Sequence, residues 1–238
     1  MTMNINENTA VGAIVADNYR SAEVFEKFGI DFCCKGQTTL AEVCKKENLS
    51  SSEVLAKLNE VMTAPDAAAH DYKSWPADLL ADYIEKTHHH YVREKLPLIM
   101  QYLDKVVNAH GNHNPEVIEI RDLFAGAVEM LTVHMQKEEM ILFPFVRKIV
   151  KAVNAETPFG SVESPIRVMM HEHEVEGDRF RTIASLSNNY TPPDYACNTY
   201  KVSYALLKEF EADLHLHIHL ENNILFPKAL ELEQRAFA

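Results

Sequence analysis

Residues 134–144 read His-Met-Gln-Lys-Glu-Glu-Met-Ile-Leu-Phe-Pro, and residues 217–227 read His-Ile-His-Leu-Glu-Asn-Asn-Ile-Leu-Phe-Pro. Both reduce to His-x-x-x-Glu-x-x-Ile-Leu-Phe-Pro. Residues four apart on an α-helix share a face, one turn above each other. His134 therefore stands beside Glu138, and His217 beside Glu221. An imidazole and a carboxylate at that spacing can grip one metal ion from one helix. Two such helices facing each other can hold two ions, with the carboxylates between them.

The apolar period extends from both stretches. Ile120, Phe124, Ala127, Leu131, His134, Glu138, Ile141 and Phe145 form one stripe at steps of three and four, and Leu206, Phe210, Leu214, His217, Glu221 and Ile224 form another. Two further helical patterns each bring one histidine to an apolar face: His89 with Val92, Leu96, Met100 and Leu103, and His173 with Ile166, Met169, Met170, Phe180 and Ala184. His89 precedes His134 by 45 residues and His173 precedes His217 by 44, so the plan is duplicated. His88, His90, His171, His215 and His219 fall on other faces and read as solvated residues or neighbours of the site; His110 and His113 fall in a loop.

The inward polar set is thus His89, His134, Glu138, His173, His217 and Glu221. Burying such groups in an apolar bundle costs several kcal/mol each unless something compensates them. Two metal ions would compensate all of them together. Imidazole and carboxylate donors suit iron, zinc or manganese, and carboxylates bridging between histidine-capped ions point to a di-iron centre. Two histidines, two bridging carboxylate oxygens and a bridging oxide or hydroxide would leave one position per ion open to a small molecule.

Around this site the chain reads as all-α. Of its 238 residues 47% are hydrophobic, 24% charged and only 7 are glycine. Four long helical patterns follow one another: about 76–107, 115–153, 164–188, and a last one that starts after Thr191-Pro192-Pro193-Asp194 and runs to about Glu233. Short connections between four long helices predict a four-helix bundle over residues 76–238. Pro97, Pro144 and Pro227 fall inside these patterns and should kink or end them. The net charge of -12 argues against a nucleic-acid binder. No apolar run approaches a membrane span, and the polar first ten residues lack a signal-peptide core, so a cytoplasmic protein with reduced thiols is expected.

Residues 1–62 read as a small helical domain, joined by a linker over residues 63–75. Val11, Ile14, Val15 and Tyr19, then Val24, Phe25 and Phe28, give two short stripes, and Gly29 is placed to stop the second. Thr38 or Thr39 can cap a third helix, and Ser50-Ser51-Ser52-Glu53 a fourth. A unit this small has a marginal core and must lean on something else. Contacts with a second copy, and so a homodimer, are one way to supply it. Between the second and third helices lies Asp31-Phe32-Cys33-Cys34-Lys35-Gly36. Adjacent cysteines in a turn, with a lysine beside them, are expected to be accessible and to ionise readily.

The bundle motifs resemble those of hemerythrin-like di-iron proteins. Together with the vicinal cysteines, the chain resembles the iron–sulfur cluster repair di-iron family over about residues 10–230. The resemblance implies two non-haem iron ions, oxo- and carboxylate-bridged, held by His89, His134, Glu138, His173, His217 and Glu221. It also places the family's double cysteine at Cys33 and Cys34. The task implied is restoration of iron–sulfur clusters damaged by nitric oxide or oxidants, with damaged iron–sulfur proteins, nitric oxide and oxygen as partners. Two other functions fit a di-iron site: reduction of nitric oxide to nitrous oxide, and hemerythrin-like oxygen carriage or sensing. The thiols favour repair over carriage, since a carrier needs none.

Overall fold

The computed structural model describes residues 5–63, 71–151 and 161–237. Every regular element among them is helical, and the one β-type contact is an isolated bridge between Ala10 and Thr39. Four helices make the N-terminal unit: α1 (Val11–Asp17), α2 (Ser21–Lys27), α3 (Leu40–Lys46) and α4 (Ser51–Thr63). Gly29 takes φ +68° just beyond α2, a conformation that costs glycine little. Thr39 caps α3 in a full capping box with Glu42, and Ser50 accepts from the Glu53 N–H at 3.4 Å ahead of α4. The expected linker lies partly outside the described residues. From residue 71 onward it is packed, with Tyr72 buried against Trp75 and Tyr83.

The bundle has four rods. The first joins α5 (Ala77–Tyr83) to α6 (His90–His110), the second α7 (Glu116–Lys137) to α8 (Phe143–Val150), the third is α9 (Glu163–Leu186), and the fourth joins α10 (Asn198–Leu220) to α11 (Phe226–Phe237). The expected end of the second rod, at residue 153, lies outside the described residues. Each of the three joints is a π-helical turn: Ile84–His89, Glu138–Leu142 and Glu221–Leu225. Such turns hold one extra residue and recur at functional sites.

The prolines explain two of the joints. Pro144 and Pro227 have no N–H to give, and their rings crowd the carbonyl four residues back. The widened turn relieves this, with the Phe143 and Phe226 N–H groups reaching the carbonyls of Glu138 and Glu221. The rods bend and continue rather than end. The extra residue also corrects the sequence stripe in the second rod. Ile141, expected inside, is 46% exposed, and Leu142 and Phe143 are buried in its place. Pro97 stays within α6 on an exposed face.

The apolar core forms two bodies with a polar layer between them. One runs from Val11, Phe25, Phe32 and Leu58 of the N-terminal unit into Val92, Phe124, Phe180 and Phe210 of the bundle. The other gathers Leu80, Ile84, Phe143, Ile166, Leu225 and Phe226 at the opposite end. The small unit therefore shares its core with the bundle. Each fully buried phenylalanine among these contributes about 1.5–3 kcal/mol. Among the described residues no helix is long and apolar enough to cross a membrane.

Candidate metal centre

The six inward residues chosen from the helical period meet in the polar layer, and all are at least 98% buried. They form two overlapping groups, His89, Glu138, His217 and Glu221 on one side and His134, Glu138, His173 and Glu221 on the other, each with donor atoms within 4.8 Å of one another. Both groups contain Glu138 and Glu221. The histidines approach the carboxylates through Nε2: His89 and His134 lie 3.3 and 3.4 Å from Glu138, and His173 and His217 each lie 3.1 Å from Glu221.

For His89, His134 and His173, what turns Nε2 inward is a partner on Nδ1, whereas Nδ1 of His217 is buried without one. Glu139 Oε1 meets His89 Nδ1 at 2.7 Å and is itself held by Arg93. Glu172 Oε2 meets His134 Nδ1 at 2.9 Å and is paired with Lys137. Asn222 Oδ1 accepts from His173 Nδ1 at 2.9 Å. Such outer partners fix the tautomer and ring orientation of a metal-binding imidazole. The duplicated motif adds a second clamp. Phe143 stacks on His89 with ring centroids 5.5 Å apart, and Phe226 stacks on His173 at 6.0 Å. Each Ile-Leu-Phe-Pro thus covers the one metal-layer histidine of the preceding rod.

The donor set fits bound cations. Both oxygens of Glu138, Oε2 of Glu221 and Nε2 of His89 are buried without a hydrogen-bond partner. Buried polar atoms left this way cost free energy unless a ligand satisfies them. Burial alone would raise both carboxyls, but the imidazoles outweigh it, holding Glu138 below the ordinary range and Glu221 well below. Burial alone would lower His134, but Glu138, Glu172 and Glu221 win and push it up to about 10. His89 moves up for the same reason.

A consequence can be measured. In the metal-free chain His134 keeps its proton at pH 7, and an ion can bind there only by displacing it. Adding ferrous iron should therefore release protons, and affinity should rise by about tenfold per pH unit for each proton displaced as pH climbs toward 10. Calorimetry in two buffers of different ionisation enthalpy reads the proton count directly. A count of zero at pH 7 would show that His134 is already neutral.

The other histidines divide between solvent, the edge of the metal layer and the N-terminal unit. His90, His171 and His113 are exposed, as expected of solvated residues. His88 is buried, with Nδ1 2.9 Å from Asp213 and its ring parallel to that of His217 at 5.5 Å. His219 is also buried, which pushes it down to about 3. With His215 it forms a platform for Phe32, whose ring lies 5.8 Å from His219 and 6.2 Å from His215. The face of α10 opposite the metal layer thus docks the N-terminal unit.

The cysteine expectation needs a correction as well. Cys33 is 4% exposed, and hydrogen bonding to Cys34, burial and nearby Asp31 raise its thiol well above the ordinary range. Cys34 is half-buried, its sulfur 3.8 Å from that of Cys33. Lys35 does not govern the pair. Asp31 does, accepting from the Cys34 N–H at 2.9 Å while Arg181 holds its other oxygen. The pair lies against the metal layer. The Cys34 thiol donates to the His173 carbonyl at 3.3 Å, and Asn222, which orients His173, donates to the Cys33 carbonyl at 3.3 Å. Gly177, one turn beyond His173, leaves room for Cys34; a Cβ there would sit 3.0 Å from its sulfur.

Residues missed from sequence are the outer partners Glu139, Glu172 and Asn222, together with Asp213, which holds His88. Glu139 and Asn222 each directly follow a metal-layer glutamate, a shared position that offered a signal. Glu172 and Asp213 come from neighbouring rods and carry none.

Two family models match the chain: residues 7–62 match a domain of unknown function, DUF542, and residues 80–229 match the hemerythrin HHE cation-binding domain. The chain is also similar to the iron-sulfur cluster repair protein YtfE of Yersinia pseudotuberculosis serotype O:1b (strain IP 31758) and of Yersinia pestis (strain Pestoides F). Each is 36% identical over 227 residues, which cover 95% of this chain and 98% of the relative.

Proposed function

The chain belongs to the family of iron-sulfur cluster repair proteins that carry a hemerythrin HHE cation-binding domain, and on that premise we propose that it supplies iron to damaged clusters. His89 and His217 would hold one iron ion and His134 and His173 a second, with Glu138 and Glu221 common to both sets. When bound, the ions would supply transferable iron and a site of reaction for nitric oxide or oxygen. The observation that carries this reading is the pair of overlapping buried donor groups with common carboxylates.

The chain's own groups then have separable roles. Glu139, Glu172 and Asn222 orient three imidazoles. Phe143 and Phe226 exclude water from the ring faces. Cys33 and Cys34 take iron on its way out, since they touch the backbone and side chain that fix His173. The clients are iron–sulfur proteins that have lost cluster iron, in a cytoplasm that keeps both thiols reduced. Residues 1–62 form a docking unit for that transfer and residues 76–238 the store. Two copies associating as a homodimer would not change the site, which lies within one chain.

The test is a repair assay. Iron-loaded protein is added to a client enzyme whose cluster has been damaged by nitric oxide, and recovery of client activity is followed. The Cys33→Ser/Cys34→Ser variant should keep both irons and repair about tenfold or more slowly, the loss expected when a metal hand-off loses its thiolate donors. Repair at the wild-type rate by that variant would remove the cysteines from the path. Catalytic release of nitrous oxide from nitric oxide, without iron transfer to the client, would replace the repair reading with a reductase.

A further inference from the structure

A groove of about 890 Å³ opens between the N-terminal unit and the bundle. None of the six His and Glu residues of the metal layer lines it, while Asp31 and Cys33 do. Its walls come from α2 and residues 29–33 on one side, and from α9, residues 188–190 and α10 on the other. The volume is that of a pocket for a ligand of several residues, larger than one amino acid needs.

Its polar groups carry both signs, and some are uncommitted. Arg181 is held by Asp31 and Asp178, and Lys27 by Glu23. Lys208 forms no ion pair among the described residues and stands exposed at the rim. Tyr190 is only 8% exposed, yet its hydroxyl, which faces Glu211, makes no hydrogen bond of ordinary geometry. Tyr190 also sits at φ +58°, after Asn188 and Asn189 in the same left-handed region. An aromatic residue rarely adopts that conformation. A buried donor whose hydrogen bond is not formed in ordinary geometry is a group that a ligand can complete. At the other end of the lining lie Phe32 and Cys33.

We propose that this groove binds a γ-glutamyl peptide through its free α-amino-acid end. Glu211 and Glu26 receive the ammonium, and Lys208 and the Tyr190 hydroxyl receive the carboxylate. Glutathione serves as the probe, and its sulfur takes no part in recognition. The proposal is separable from iron transfer, because binding is read at a groove that none of the six metal-layer residues lines.

Protonation sharpens the expectation. Burial pushes the Glu211 carboxyl up to about 7, with Glu26 of α2 adding to it and Tyr190, Arg181 and Lys208 opposing. Only the ionised carboxylate attracts an ammonium. Affinity should therefore increase about tenfold from pH 6 to pH 8 as Glu211 loses its proton.

The test is calorimetric titration of the iron-loaded full chain with reduced glutathione, N-acetylglutathione and S-methylglutathione. Reduced glutathione should bind one per chain with a dissociation constant of about a millimolar or below. N-acetylation of the ligand, Glu211→Gln and Lys208→Ala should each weaken it about tenfold or more, as expected for loss of a charge-assisted contact. Glu211→Gln should also flatten the pH profile. S-methylation leaves the amino-acid end intact and should change affinity by no more than about threefold. Lys208 is exposed, so its variant folds whatever the fate of Glu211→Gln. Absence of saturation by about 10 mM glutathione, or affinity untouched by Lys208→Ala and N-acetylation, would overturn the proposal. Loss of binding on S-methylation would overturn it too, by placing recognition at the sulfur.

Discussion

Glu221→Gln should reduce bound iron from two ions per chain to less than one, while His219→Ala should leave it at two. Glu221 belongs to both donor groups, so its loss reaches both positions at once. It sits 3.1 Å from Nε2 of His173 and of His217, and 4.0 Å from that of His89. Glutamine keeps the size and one acceptor but not the charge. Two cations then face four neutral imidazoles and a single carboxylate, in surroundings where desolvation is expensive. His219, two residues away, touches Phe32 and Asn223 instead.

The effect carries into stability. A ligand present at about a thousand times its dissociation constant stabilises the folded state by about 4 kcal/mol. For a chain of this size that corresponds to roughly 10 °C in melting temperature. Iron should raise the melting temperature of the parent protein by that amount and of Glu221→Gln by almost nothing. Two tightly held irons in Glu221→Gln would remove that carboxylate from the site. A full iron content in His217→Ala alongside loss in His219→Ala would reverse the assignment of faces on α10.

That assignment was open to sequence reading because a helix repeats every 3.6 residues. His134, Glu138, His217 and Glu221 sit on apolar stripes within their own helices, and no tertiary information is needed to place them. The period fails where the backbone departs from it. After Glu138 the π turn inserts a residue, and Ile141 leaves the core that the stripe assigned it. The proline that forces the turn was visible; the choice between a break, a kink and a widened turn depends on packing at the far end. Glu172 could not be placed either. It reaches His134 from another rod, and its carboxyl is lowered to about 2 first by that imidazole and then, against burial, by Lys137. Nothing local in residues 171–173 shows this. The cysteine pair failed for a third reason. A basic neighbour in sequence suggested an exposed thiolate, but Phe32 docks on His215 and His219 and draws Cys33 inside with it.

The same docking makes Gly36→Ala the most damaging small substitution expected outside the metal layer. Gly12 and Gly36 pass each other with the Gly12 N–H donating to the Gly36 carbonyl at 2.8 Å. The side chain of Asn223 enters beside them, and its amide donates to the carbonyls of Phe32 at 3.3 Å and Cys33 at 3.2 Å. A Cβ on Gly36 would lie 2.2 Å from Asn223 Oδ1 and 2.7 Å from the Phe32 carbonyl oxygen. The second of these is backbone, so turning the asparagine away does not relieve it. Overpacking of this kind costs about 1–3 kcal/mol, or roughly 3–8 °C for a chain of this length. The strain falls on the segment that holds the cysteines, and thiol labelling reports it separately from melting. In the parent protein Cys197 is exposed and Cys34 half-buried, while Cys33 and Cys44 are buried. A thiol reagent should label Cys197 first and Cys34 next. Gly36→Ala should bring Cys33 into the labelled set and leave Cys44 protected, because α3 is capped independently by Thr39 and Glu42. An unchanged melting temperature with Cys33 still protected would mean that the Asn223 clasp does not hold the N-terminal unit on the bundle. Labelling of Cys44 together with Cys33 would mean that the unit unfolds as a whole, and that its core depends on the clasp.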